Sequence, residues 1–212
     1  NMKYKVTKSD AKKGTVTLVQ GDKKKTSVAV PATVKKNGYT FKVTQISGKA
    51  FYKYTKLKKV TFENIDQLIA LEVREDQREF VAPNVLSLAE AYVAVSGGHA
   101  AQPFGIYEGG GPVGFVMFGY GSLDDPDEPE SAKDSYCLWR FMIDEKHQGR
   151  GLGKRAMKVC LEYLRERPLG PADKVWLSYE PENIAARALY HKFGFVENGE
   201  MCGEEIVAVR DL

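Results

Sequence analysis

Six residues constrain this chain more than any others: Gln148-Gly149-Arg150-Gly151-Leu152-Gly153. They stand between a run of strand character, residues 136–143, and a run of helical character, residues 154–164. A glycine-rich turn that opens a helix leaves several backbone N–H groups unpaired and pointing one way. The helix dipole adds partial positive charge at the same place, so such a turn suits a pyrophosphate. Two common nucleotide motifs fit poorly. A P-loop closes with Gly-Lys-Ser/Thr, whereas this turn runs Gly151-Leu152-Gly153-Lys154-Arg155 and has no hydroxyl for magnesium. A dinucleotide fingerprint needs a βαβ unit and a third glycine, and Lys154 occupies that position. The plain alternative is a surface turn before an ordinary helix.

A second element follows about thirty residues on: Asn183-Ile184-Ala185-Ala186-Arg187-Ala188-Leu189-Tyr190, closing with Phe193-Gly194-Phe195. Together the two elements resemble motifs A and B of the GNAT acetyltransferases, which move an acetyl group from acetyl-CoA to an amine. The resemblance covers residues 57–212. It implies an α/β (α+β) GNAT fold, a mixed and mostly antiparallel sheet flanked by helices. Strands are expected at 57–62, 102–107, 114–120, 136–143, 175–179, 195–197 and 205–209. Helices are expected at 64–73, 87–95, 154–164 and 183–192, where apolar residues recur at helical spacing. Gly109-Gly110-Gly111-Pro112 should turn a hairpin, and the acidic run 124–130 reads as a solvated, mobile loop.

The family implies roles for particular positions. Acetyl-CoA is the expected cosubstrate, with no metal. The backbone of Phe141 and Ile143 would bind the pantetheine arm and polarise the thioester carbonyl. Amides of Gln148, Gly149, Arg150, Gly151, Leu152, Gly153 and Lys154 would hold the pyrophosphate, with Arg150, Lys154 and Arg155 adding charge. Asn183 would contact the CoA arm, and it also reads as a helix cap after Pro181. Tyr190 lies two helical turns beyond Asn183 on the same face. In the family this tyrosine protonates the departing thiolate; otherwise it is a core aromatic. Attack requires a neutral amine. Glu75, Asp144 and Glu180 are the candidate bases, with Glu75 chosen. A covalent route through Cys137 or Cys160 is disfavoured, because no histidine accompanies either in sequence.

Residues 73–84, with Glu75, Asp76 and Glu79, and Leu138-Trp139-Arg140-Phe141-Met142-Ile143-Asp144 are similar to the bacterial diamine and spermidine/spermine branch of the family. That similarity implies a small polycationic amine acceptor, with Glu75, Asp76, Glu79 and Trp139 shaping its site. An aminoglycoside or a peptide amino terminus stands as the alternative acceptor. Glu75 and Asp76 read equally well as ion-pair partners of Arg74 and Arg78 on a wet helix end. The resemblance also allows a homodimer.

The first quarter of the chain differs in kind. Residues 1–59 carry 16 lysines against two acids, a balance of +14, so the remainder carries −11 if the whole is +3. A basic segment invites a nucleic-acid reading. These lysines, however, alternate with Val, Thr and Tyr in strand-like runs at 15–19, 27–30 and 39–43, which places them on solvated sheet faces. Gly14, Gly21-Asp22 and Asn37-Gly38 punctuate the runs as hairpin turns would. Val43-Thr44-Gln45-Ile46-Ser47-Gly48-Lys49-Ala50-Phe51 and the following Leu57 to Phe62 resemble a BspA-like leucine-rich repeat, covering residues 28–62. Scarcely more than one repeat is present, and a repeat cannot bury its face alone. A small β-rich cap module over 1–56 before a transferase domain over 57–212 is therefore expected, with residues 57–62 serving both as last repeat strand and first transferase strand. The open end of the repeat should pack on something, most simply the next domain. Such repeats belong mostly to surface proteins and the transferases to the cytoplasm; natural and artificial fusion both account for the pairing. An interaction protein using the repeat is the competing function. No apolar run reaches the ~18 residues that span a bilayer, and three scattered cysteines give neither a disulfide framework nor a zinc site.

Overall fold

The structure is a computed structural model that describes residues 2–8, 14–20, 31–46 and 55–212. The chain divides into two compact units, Asn1–Tyr54 and Thr55–Leu212.

The first unit holds strands β1 (Lys3–Lys8), β2 (Thr15–Gln20), β3 (Thr33–Lys36) and β4 (Tyr39–Ile46) in one sheet, ordered β1-β2-β4-β3. β1 and β2 pair antiparallel, while β2 and β4 pair parallel. Asn37 and Gly38, at φ 51° and 78°, turn the β3–β4 hairpin. Both central residues take positive φ, which is the turn geometry that Asn-Gly favours. Val16 and Leu18 are buried, while Lys3, Lys5, Lys35 and Lys42 are exposed, so the described lysines do lie on solvated positions. The expected turn at Gly21-Asp22, the run 27–30 and the repeat positions Ser47 to Phe51 lie outside the described residues.

The second unit is built on a seven-stranded sheet ordered β10-β11-β9-β8-β7-β6-β5. Its strands are β5 (Thr55–Lys59), β6 (Ala100–Glu108), β7 (Gly111–Tyr120), β8 (Tyr136–Ile143), β9 (Lys174–Tyr179), β10 (Val196–Cys202) and β11 (Glu205–Asp211). All neighbours are antiparallel except β8 and β9. β5 ends at Lys59, three residues before the expected limit. The Asn64 side chain accepts from Thr61 N at 2.8 Å and donates to Lys59 O at 3.0 Å, closing a turn there.

The helices are α1 (Ile65–Ile69), α2 (Asn84–Ser96), α3 (Leu152–Arg165) and α4 (Ile184–Lys192). The helix expected over 64–73 is only five residues long, and only Leu68 of α1 is buried. Residues 71–74 run on without helix to a 3-10 turn at Glu75–Gln77. α2 is apolar on every side, so its pattern does not select a face. Ala91 and Ala94 pack on Phe115, Met117 and Met142, while Tyr92 and Val93 face solvent. Its first residue, Asn84, is buried and donates to Leu68 O at 2.8 Å, joining α2 to α1.

α3 buries Leu152, Ala156, Met157, Cys160, Leu161 and Leu164, one stripe at helical spacing. That stripe meets Phe104, Phe118, Tyr136, Val175 and Leu177 in the main core. Each such large side chain contributes about 1.5–3 kcal/mol by leaving water. The acidic loop is tied down by Glu128, whose carboxylate accepts from Leu123 N at 2.9 Å and from Ser122 Oγ at 2.5 Å. The hydrogen bonds of Glu128 thus close a turn at the start of the run, while residues 124–127 and 130 are exposed, as expected of a solvated loop.

Candidate active site

The site follows from one irregularity of the sheet. β8 and β9 run side by side yet pair at only two positions, Tyr136↔Val175 and Cys137↔Trp176. Beyond them the strands part, leaving backbone edges along 138–143 and 177–179 without sheet partners across the gap. The gap opens into a cavity of about 720 Å³.

The glycine turn stands at one end of the gap. A short 3-10 turn at Glu145–His147 leads from β8 into it. Gly149 and Gly151 take φ 71° and 69°, and Gly151 caps α3 in the left-handed region. Side-chain-bearing residues adopt this conformation at a cost of about 1–2 kcal/mol. The turn is anchored by Gln148, whose Nε2 donates to Ile143 O at 2.9 Å and to Gln77 Oε1 at 2.8 Å. Gln148, Gly149, Gly151, Leu152, Gly153 and Lys154 line the cavity, as do Phe141 and Ile143. Arg150 does not. Its guanidinium, with that of Arg155, reaches the buried carboxylate of Glu108, at 3.3 Å for Arg150. Their charge is therefore partly neutralised by a carboxylate on the neighbouring hairpin.

α4 supplies the other wall. Asn183 caps it, its Oδ1 accepting from Ala186 N at 3.1 Å, and also lines the cavity. Tyr190 lines the same space and is 8% exposed. Its ring packs 5.9 Å from Phe195 and 5.6 Å from Tyr179. Its hydroxyl has no hydrogen-bond partner among the described residues, so the proton is available to whatever enters the cavity. Burial, and then the nearby Glu205 carboxylate, push the Tyr190 phenol well above the usual tyrosine range. Tyr190 therefore stays protonated in neutral and mildly alkaline solution.

Of the expected acceptor residues, Glu79 and Trp139 line the cavity, and Glu75 and Asp76 do not. The Glu75 carboxylate is 83% exposed and sits 3.0 Å from Arg78. Asp76 is bidentate on Arg74, at 2.7 and 3.1 Å. The arginine-paired alternative describes both, because the 3-10 turn aims them at solvent. Asp144 is buried, but its Oδ1 accepts from Glu72 N at 3.2 Å and serves the fold. Glu180 is absent from the lining; burial first, then Glu205, Glu182 and Glu204, raise its carboxyl above the usual value. Burial pushes the thiols of Cys137 and Cys160 far up, which leaves both poor nucleophiles. Two residues that no spacing rule singled out also line the cavity: Ser178 and Glu205, joined by a hydrogen bond from the serine hydroxyl. They lie on adjacent strands far apart in sequence, so only the β9–β11 register brings them together.

Among the described residues no cluster of His, Cys, Asp and Glu could hold a metal ion. No helix among them is long and apolar enough to cross a membrane. Residues 64–195 match the acetyltransferase (GNAT) family. The spermine/spermidine N(1)-acetyltransferase of Bacillus subtilis (strain 168) is 35% identical over 157 residues, 74% of this chain and 97% of that protein. Among solved structures, aminoglycoside acetyltransferase AAC(6')-Ib in complex with coenzyme A superposes with a TM-score of 0.61 at 19% identity, covering 74% of this chain and 94% of that one. A PaiA N-acetyltransferase from Thermoplasma acidophilum, also in complex with coenzyme A, gives 0.52 at 12% identity over 74% and 99%. The parted strands, the left-handed glycines at a helix start and the free tyrosine hydroxyl all fit that cosubstrate. The chain belongs to the acetyltransferase (GNAT) family and is an acetyl-CoA-dependent N-acetyltransferase.

Proposed function

We propose that this enzyme transfers acetyl directly to a primary amine of a polyamine such as spermidine or spermine. The observation that carries the reading is the likeness to the Bacillus subtilis spermine/spermidine enzyme over 97% of that protein's length. The charge agrees in sign. Residues 60–212 carry −11, and two carboxylates, Glu79 and Glu205, face the cavity. An acidic domain draws polycations in, and within the cavity Glu79 and Glu205 stand on a wall that also carries Arg140, Lys154 and Lys192. Trp139 lines the same wall, with the Arg140 guanidinium 5.8 Å from its ring centroid, so an alkylammonium there would share the ring with that cation. The aminoglycoside enzyme shares only the fold at its level of identity, so its acceptor is not carried over.

In this reading the acetyl thioester is what acetyl-CoA supplies. Amides of the turn from Gln148 to Lys154 bind its pyrophosphate. The β8 backbone at Phe141 and Ile143 positions the pantetheine arm and polarises the acetyl carbonyl. Asn183 holds the arm from the start of α4, and Tyr190 gives its proton to the departing sulfur. Glu79 and Trp139 face the acceptor chain. No step of this reading draws on the unit Asn1–Tyr54.

The test is thiol release from acetyl-CoA with spermidine as acceptor, for the natural sequence and for Tyr190→Phe. Turnover that collapses in the variant is expected. Absence of turnover in an enzyme that still binds acetyl-CoA would sink the polyamine acceptor and leave the family assignment intact.

A further inference from the structure

We propose that Glu205 is the carboxylate that grips the acceptor ammonium and takes its proton, with Ser178 fixing its orientation. The inference rests on the reading that the acceptor is an amine; it does not require that the amine be a polyamine.

Glu205 is the first residue of β11, directly across from Cys202 in the β10–β11 hairpin. Next to it, Ile206 and Val207 pair with Tyr179 and Ser178 of β9. This register brings Glu205 to the end of β9 that borders the open gap. One carboxylate oxygen accepts from Ser178 Oγ. The other has no hydrogen-bond partner among the described residues. No cation pairs with Glu205 among them either; the same holds for Glu79, the other carboxylate of the cavity, but only Glu205 is oriented by a hydrogen bond there. Glu205 is half-buried, so a cation that enters the cavity can approach its carboxylate directly. The cavity that Glu205 lines is the route by which one would arrive.

A second observation is independent of the carboxylate. Tyr190, 8% exposed as a residue, lines the same cavity, and its hydroxyl has no hydrogen-bond partner among the described residues. Acyl transfer to an ammonium needs a proton acceptor at nitrogen and a proton donor at sulfur. This cavity holds one of each. The titratable groups felt around Glu205 are Tyr190 of α4, Cys202 of β10, Cys137 of β8 and Glu180 beyond β9, and burial holds Tyr190 and both thiols in their neutral forms. The cavity wall also carries Arg140, Lys154 and Lys192; Arg140 is paired with Glu90, and none of the three pairs with Glu205 among the described residues.

The step balances as follows. One ammonium proton passes to Glu205, and the freed nitrogen lone pair forms the N–C bond to the acetyl carbon. The C–S bond breaks, and Tyr190 gives its proton to sulfur. The remaining excess proton on nitrogen returns to Tyr190, and Glu205 releases its proton to solvent. The products are the N-acetylated amine and the free thiol.

Glu205→Gln and Ser178→Ala are compared with the natural enzyme using spermidine, putrescine and kanamycin as amine probes. Acetyl-CoA affinity by calorimetry and the unfolding temperature serve as controls. The expected result is a loss of kcat/KM of about a hundredfold or more in Glu205→Gln and of about tenfold or less in Ser178→Ala. Acetyl-CoA affinity should be unchanged in both, and amine affinity weakened in Glu205→Gln. The pH profiles carry the decision. In the natural enzyme kcat/KM should be flat from neutrality to the amine's own pKa, because carboxylate plus ammonium is the reactive pair. In Glu205→Gln it should climb tenfold per pH unit over the same span, because only free amine then reacts. Parallel profiles, or a loss of less than threefold, would overturn the assignment. Turnover of kanamycin but not spermidine, with the same change of slope in Glu205→Gln, would reject the polyamine and keep Glu205. Spermidine turnover with parallel profiles would do the reverse.

Discussion

Tyr190 combines two duties that are separable by one atom. Its ring belongs to the core between Tyr179 and Phe195, and its hydroxyl faces the cavity. Tyr190→Phe keeps the ring and removes the proton. Its unfolding temperature should match the parent, while kcat falls about 10²-fold or more. The sign of the phenol's shift sets a second expectation. A tyrosine whose ionisation is displaced upward keeps its acid form as pH rises through the ordinary tyrosine value of about 10. The kcat profile should therefore show no alkaline limb from this residue below about pH 10, and a limb near 9 assigned to Tyr190 by its absence from the phenylalanine variant would contradict the burial argument. Residues of this kind were legible in the sequence because Asn183 and Tyr190 share one helix and one motif. Glu205 was not legible. Its hydrogen-bond partner Ser178 and its cavity neighbour Tyr190 come from a different strand and a helix, and no spacing rule crosses that distance. Glu75 and Asp76 were read as acceptor groups from their motif, but local arginines claim both.

Elements show a similar division. β8 runs over the residues expected of it, since an aromatic and aliphatic run broken only by Arg140 leaves little choice between turn signals. α3 begins two residues before the expected start because Leu152 and Gly153 already form its first turn. The helix over 64–73 was misread. Its apolar residues have helical spacing, but Leu71 and Val73 reach the core from extended chain. The turn before α3 carries an element-scale prediction. At Gly151 a Cβ would meet nothing closer than Arg155 Nη1 at 3.6 Å, so the space is open and only the backbone objects. Gly151→Ala should lower stability by about 1–2 kcal/mol and raise KM for acetyl-CoA more than it lowers kcat. Denaturant melts and separate titration of the two substrates would read the two effects apart. An unchanged melt with an unchanged KM would mean that the turn holds neither strain nor ligand.

At the scale of the molecule, the division between units falls at Tyr54 and Thr55, close to the point where the charge balance of the sequence changes sign. The Bacillus subtilis relative is matched over nearly its whole length by 74% of this chain. A protein reduced to residues 55–212 should accordingly keep kcat/KM within about threefold of the parent, measured with the same acceptor; loss of soluble folded protein would show that the first unit is structurally required. Because the acidic field belongs to the second unit, raising salt from about 0.05 to 0.5 M should weaken spermidine capture in both lengths alike. The two-rung seam between β8 and β9 has a further consequence. It divides the sheet into a four-strand leaf and a three-strand leaf stitched at one end only. Those amides of the two margins that face the gap, rather than β7 or β11, have no ladder to shelter them, so they should trade hydrogen for deuterium quickly in the free enzyme. Any molecule that threads the gap becomes the absent rungs, and protection along 138–143 and 177–179 should then report occupancy directly, as a zipper reports that it has been closed.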